Sequence, residues 1–201
     1  MNTCEYDGVP LTDLRSHPWT RTVASAADRY YDLKKTPAHI RTSLEDFVPW
    51  SHYPAVDALY SLLEALNGPG SALESNDCEF TGPHANDAVQ FGKPMQCSGR
   101  VMVLFRDLAR NVSRPAVEEL KNALHLDLHA RDAAFAWGLV GTTIVPVRYL
   151  ALPPGRQLGH ELMVSFWAWG SSEAEVMANL HRLMTNLSAS LLAVTGPRPP
   201  A

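Results

Sequence analysis

The fourteen residues from Glu74 to Asp87, ESNDCEFTGPHAND, gather four carboxylates, a thiol and an imidazole. A cysteine becomes a nucleophile when a neighbouring cation favours its thiolate. Carboxylates beside an imidazole exchange protons or ligate a metal. Strand alternation over residues 77–81 sends Asp77 and Glu79 to one face and Cys78 and Phe80 to the other. The thiol then points at the core, where a free cysteine is common and inert. Asp77, Glu79 and His84 are the ionisable members of a candidate catalytic set, with Cys78 as their support. The run from Thr81 to Lys93 reads as a long polar loop, a form often given to binding.

HLDLH, residues 125–129, is a second candidate. Histidines four apart share a helix face and hold a metal in the zincin helix, but Leu126 stands where that helix has its glutamate. As a strand, His125-Leu126-Asp127 offers half of a facial triad that His160 or His181 would complete. His125, Asp127 and His129 are therefore the metal candidates. The competing and preferred reading is a helix C-terminus, where histidines complement the dipole.

The aromatic residues form a third group. Trp167 and Trp169 fall on one face of a strand, and an indole N–H needs a partner when buried. With His52, set between Trp50 and Tyr53, they are candidate ligand-binding residues; ordinary core packing is the competing explanation. His160-Glu161 opens the same strand, where a wet edge position accounts for both. G-x-S-x-G is absent from the sequence, so no nucleophile elbow is encoded.

These residues need elements to hold them. Apolar spacing predicts helices at 20–34, after Thr36-Pro37, at 54–67 and at 114–126. A further long helix starts at Ser172, where Glu175 completes a capping box. Residues 77–81, 99–107 and 159–169 read as strands, and 133–150 as one bent strand or a hairpin. Val101, Val103 and Phe105 belong to a run that is apolar on both faces, as expected of a strand covered on both sides. The fold class is α+β: a mainly antiparallel sheet packed with helices, preceded by a helical N-terminal region. Residues 1–50 pack on an α+β domain at 51–195, and 196–201 form a disordered tail.

Composition narrows the function. Hydrophobic residues make up 46% and charged residues 19%, enough to bury a sizeable core. No apolar run approaches the roughly eighteen residues of a membrane span. A net charge of −4 without a basic stripe argues against nucleic acid. Three cysteines without framework spacing, after an N-terminus that lacks the form of a secretory signal, point to a reducing cytoplasm and no disulfide. The reading is a soluble small-molecule enzyme or ligand-binding protein, with its pocket near loop 74–87 and strand 163–169 and no cofactor specified. The alternative is a dimeric adaptor or chaperone-like module that buries helix 172–193 or a sheet face against a partner.

Overall fold

A strand apolar on both sides must be covered on both, and this requirement organises the molecule. The computed structural model describes residues 1–5, 14–18, 32–42 and 44–195. Its sheet has six strands: β1 (Asn2–Glu5), β2 (Arg15–His17), β3 (Leu73–Ala85), β4 (Met95–Phe105), β5 (Gly138–Tyr149) and β6 (Leu158–Gly170). The order is β1-β5-β6-β4-β3, with β2 pairing farther along the same edge of β5. β3, β4, β6 and β5 pair antiparallel in succession. β1 and β2 run parallel to β5.

Two expectations are overturned here. The sheet is mixed rather than mainly antiparallel, and the described residues of the N-terminal region form no α-helix. Its described residues give two short edge strands and tight 3-10 turns at Pro37–Ile40 and Glu45–Trp50. Strands of four and three residues carry too little alternation to be read, and their partner lies far along the chain. Pro49 inside the second turn has no N–H to continue a helix. The helix expected at 20–34 falls mostly outside the described residues, and its last two residues, 33 and 34, lie in a turn. The expected tail at 196–201 also lies outside them.

Among the described residues, the long helices all lie on one face of the sheet: α1 (Pro54–Asn67), α3 (Arg114–Arg131) and α4 (Glu173–Thr195). The short α2 (Leu108–Val112) follows β4. Pro54 sits in the first turn of α1, where its missing N–H costs nothing. α1 buries Val56, Leu59, Leu63 and Leu66. Ser113 accepts from the Ala116 N–H to start α3. At α4, Ser172 Oγ accepts from the Glu175 N–H, and the Glu175 carboxylate takes the Ser171 N–H in return. Val176, Leu180, Leu183, Leu187 and Leu191 of α4 then bury against Val101, Val103, Phe105, Val164 and Phe166. Those sheet residues do lie in the centre, and residues 138–149 form one strand rather than a hairpin.

β3 runs over thirteen residues and decides what the other face carries. Its pairing with β4 slips between Ser75 and Asp77, leaving Asn76 as an extra, bulged residue. Before the bulge Leu73 and Ser75 face the helices; after it Cys78 and Phe80 do. Glu74, Asn76, Asp77 and Glu79 thus all reach the face opposite the long helices. A second slip lies between Thr81 and His84, where Trp50 lies against Gly82 and leaves no room for a Cβ. The expected long loop shrinks, because β3 continues to Ala85 and β4 begins at Met95.

Candidate functional site

The face opposite the long helices presents Ser98, Arg100 and Met102 from β4 and Met163, Ser165 and Trp167 from β6. Arg100 lies opposite Ser165 and Ser98 opposite Trp167, so hydroxyls, an indole and a guanidinium alternate across the two strands. Glu79 and Thr81 of β3, Gly99 and Arg15 of β2 complete a cleft of about 250 Å³.

Its charged wall is a four-residue array. Arg15 Nη1 donates to Asp77 Oδ2 at 2.5 Å, and Arg100 Nη2 reaches the same oxygen at 3.3 Å. Arg100 also pairs with Glu79. Asp77 is mostly buried and Arg15 and Arg100 are partly so, so these pairs are less screened than surface ion pairs. The array fixes the guanidiniums at the mouth of the cleft, with the hydroxyls of Ser98 and Ser165 on its floor.

The candidate catalytic residues are split by this arrangement. Asp77 and Glu79 stand together at the cleft, on the face that alternation assigned to them. Cys78 faces the helices; burial, with help from Asp77 and Asp46, pushes its thiol up to about 12. His84 is not brought to them. Its Nδ1 lies 2.8 Å from the Gly82 carbonyl oxygen, and its Nε2 lies 3.2 Å from Gln96 Nε2. Gln96 in turn accepts from Trp169 Nε1 at 3.2 Å, so His84 and Trp169 share a neighbour outside the cleft.

The ligand candidates also divide. Trp167 lines the cleft. Trp169 is buried beneath Phe91, with ring centroids 4.5 Å apart. His52 is exposed against Tyr53, at the start of α1 on the helical side. The metal candidates are engaged separately along α3. His125 Nε2 meets the Thr142 hydroxyl at 2.7 Å, Asp127 pairs with Arg131, and His129 is exposed. Burial, reinforced by Lys121, holds the His125 imidazole below its ordinary value. Among the described residues no three His, Cys, Asp or Glu side chains converge as a metal site.

The sequence reading missed a second set of groups. Glu161, expected at a wet edge, is 1% exposed on β6, and burial pushes its carboxyl up to about 7. Glu74 is equally buried and faces His17 and Lys34. Burial works to raise the Glu74 carboxyl, but His17 and Lys34 together hold it below the ordinary value. One signal was present: Glu161 interrupts an apolar strand on the face of Met163 and Ser165. The Asn76 bulge, which brings Glu74 to that face, has no such mark in the sequence.

Cys4, Cys78 and Cys97 are all free thiols. Among the described residues no helix is long and apolar enough to cross a membrane. No protein-family model, curated protein or solved structure matches the chain.

Proposed function

We propose that this protein binds a small organic molecule in the cleft on the sheet face opposite the long helices. One observation carries the reading: two arginines converge on one carboxylate oxygen beside three hydroxyls, two thioethers and an indole. Recognition sites combine an apolar lining with a few placed polar groups in this way. Arg15 and Arg100 are balanced by Asp77 and Glu79, which suits a zwitterionic or neutral hydrogen-bonding ligand better than a polyanion. Trp167, Met102 and Met163 offer a flat apolar surface to the rest of it. The volume fits a molecule of amino-acid to small heterocycle size. Asp77, Glu79 and Trp167 keep a place in this reading, with Arg100, Ser98 and Ser165 added. Three unpaired thiols suit a reducing compartment, and we place the protein in the cytoplasm on that ground. The adaptor alternative has less support, because the apolar face of α4 is spent on the protein's own core.

Thermal denaturation against a panel of amino acids, nucleobases and small amides tests the proposal. A ligand at about a hundred times its Kd stabilises by about 2.7 kcal/mol. The wild type is expected to gain stability with members of one chemical class. Ser165→Phe, which fills the floor, is expected to lose the gain. A panel without effect, or an equal gain in the filled variant, contradicts the reading.

A further inference from the structure

The charged wall of the cleft belongs to a lattice of three residues by three, set by the register of β3, β4 and β6. Its middle row runs Glu79, Arg100, Ser165. On one side lies the row Asp77, Met102, Met163, and on the other the row Thr81, Ser98, Trp167. Neighbours within a row stand ~4.8 Å apart and successive rows ~6.8 Å apart, the scale of one small molecule.

The row of Asp77, Met102 and Met163 is closed. Arg15 comes from β2, which pairs at the β5 edge of the sheet, yet it reaches Asp77 on β3 at the opposite edge. The two edges meet across this row, and Met102 and Met163 are buried there. Ser98 and Trp167 are half-buried, and Thr81 is exposed. A ligand seated on the middle row therefore extends toward Ser98 and Trp167.

The middle row offers a carboxylate, a guanidinium and a hydroxyl in that order. Asp77 holds Arg100 from the buried side: its side chain is 13% exposed, and its Oδ2 takes Arg100 Nη2 as well as Arg15 Nη1. Glu79 pairs with Arg100 from the solvent side, with its side chain 46% exposed. An ion pair that exposed contributes little, so Glu79 can leave Arg100 while Asp77 keeps the guanidinium in place. A ligand carboxylate then takes Arg100 and the Ser165 hydroxyl, and a charge-assisted bond to the planar guanidinium fixes its orientation. A ligand ammonium takes Glu79. Opposite charges carried on one carbon match two side chains that face each other across one strand pair. A second negative charge would meet Glu79 and Asp77, which disfavours a phosphate or a dicarboxylate.

We infer, resting on the ligand site proposed above, that the cleft takes an α-amino acid with an aromatic side chain. The head group lies along Glu79, Arg100 and Ser165. The ring lies against Trp167, where offset or edge contact between rings adds to apolar burial. The hydroxyls of Ser98 and Thr81 stand in the same row as Trp167 and meet polar atoms at the ring edge. Glu79 is the residue that selects the amine, because its charge faces the ammonium and no other part of the ligand.

The test is calorimetric titration of the full chain with tryptophan, tyrosine and phenylalanine, with leucine as the aliphatic control. Each aromatic amino acid is accompanied by the amine and the acid that lack one head group, tryptamine and indole-3-propionate in the case of tryptophan. Backbone amide shifts of Ser98, Arg100, Ser165 and Trp167 locate the binding. At least one aromatic amino acid is expected to bind there about tenfold or more tightly than its amine, its acid and leucine. Glu79→Gln is expected to lower that affinity by about tenfold while leaving the acid as it was or tighter. An amine, acid or leucine that binds as tightly as the aromatic amino acid overturns the inference and leaves the cleft a ligand site. Equal changes for amino acid and acid in Glu79→Gln, or a nucleobase that moves the cleft amides when no amino acid does, have the same consequence. Cleft amides unmoved by every compound overturn the inference and the ligand site together. Should Glu79→Gln not fold, the wild-type series decides alone.

Discussion

At the scale of single residues, side-chain direction separates support from recognition. Cys78 and Asp77 are neighbours in sequence and lie on opposite faces of β3. With its thiol pushed up to about 12, Cys78 holds almost no thiolate at neutral pH. Burial pushes Cys97 to about 12 as well. Alkylation of the native protein at neutral pH is therefore expected to leave both unmodified until the chain unfolds, which mass spectrometry of the intact protein reads directly. Asp77→Ala removes the oxygen that Arg15 and Arg100 share. It is expected to cost about 1–3 kcal/mol in chemical denaturation as well as any ligand affinity, because the charges it balances are partly withdrawn from water. Its conservative partner Asp77→Asn keeps a hydrogen-bond acceptor and should lose less.

At the scale of elements, the positions open to the sequence reading were those whose pattern is local. The apolar spacing of α1, α3 and α4 marks their buried faces. The runs at 101–105 and 162–166 identify β4 and β6. What stayed hidden depends on register. Strict alternation sends Glu74 and Asn76 to the helix side with Cys78. A single bulged residue reverses that, and nothing in ESNDCEF marks where the extra residue falls. Glu161 looked like a strand end in water because its partner, Asn76, comes from the bulge of β3, eighty-five residues away in the chain. The same register explains Gly99. A side chain there would run into Phe166 and the Glu79 carbonyl. Gly99→Ala is expected to destabilise by about 2 kcal/mol, read as a lower urea midpoint with an unchanged slope. An unchanged midpoint would show that β3 and β4 are not packed this closely at the cleft.

At the scale of the whole molecule, the described N-terminal residues serve both the edge of the sheet and its helix-side core. β1 and β2 close the outer edge of β5, and Met1, Leu33, Ile40 and Phe47 enter the core. A chain of residues 51–201 would bare the edge of β5 and lose Met1, Leu33, Ile40 and Phe47 from the core. It is expected to self-associate in light scattering, while the full chain stays at one size. A truncated chain that remains monomeric would show that the N-terminal residues are not the cover.

Amide chemical-shift mapping tests the cleft between Arg100, Ser165 and Trp167 most directly. A ligand drawn from the small-molecule panel is added to the full chain, and the backbone amides are followed. The expected result is a saturable shift centred on Ser98, Gly99, Arg100, Ser165 and Trp167, absent in Ser165→Phe. Shifts centred on the helical face, on the His125 to His129 turn of α3 or on His52, with the cleft amides unmoved, would contradict it.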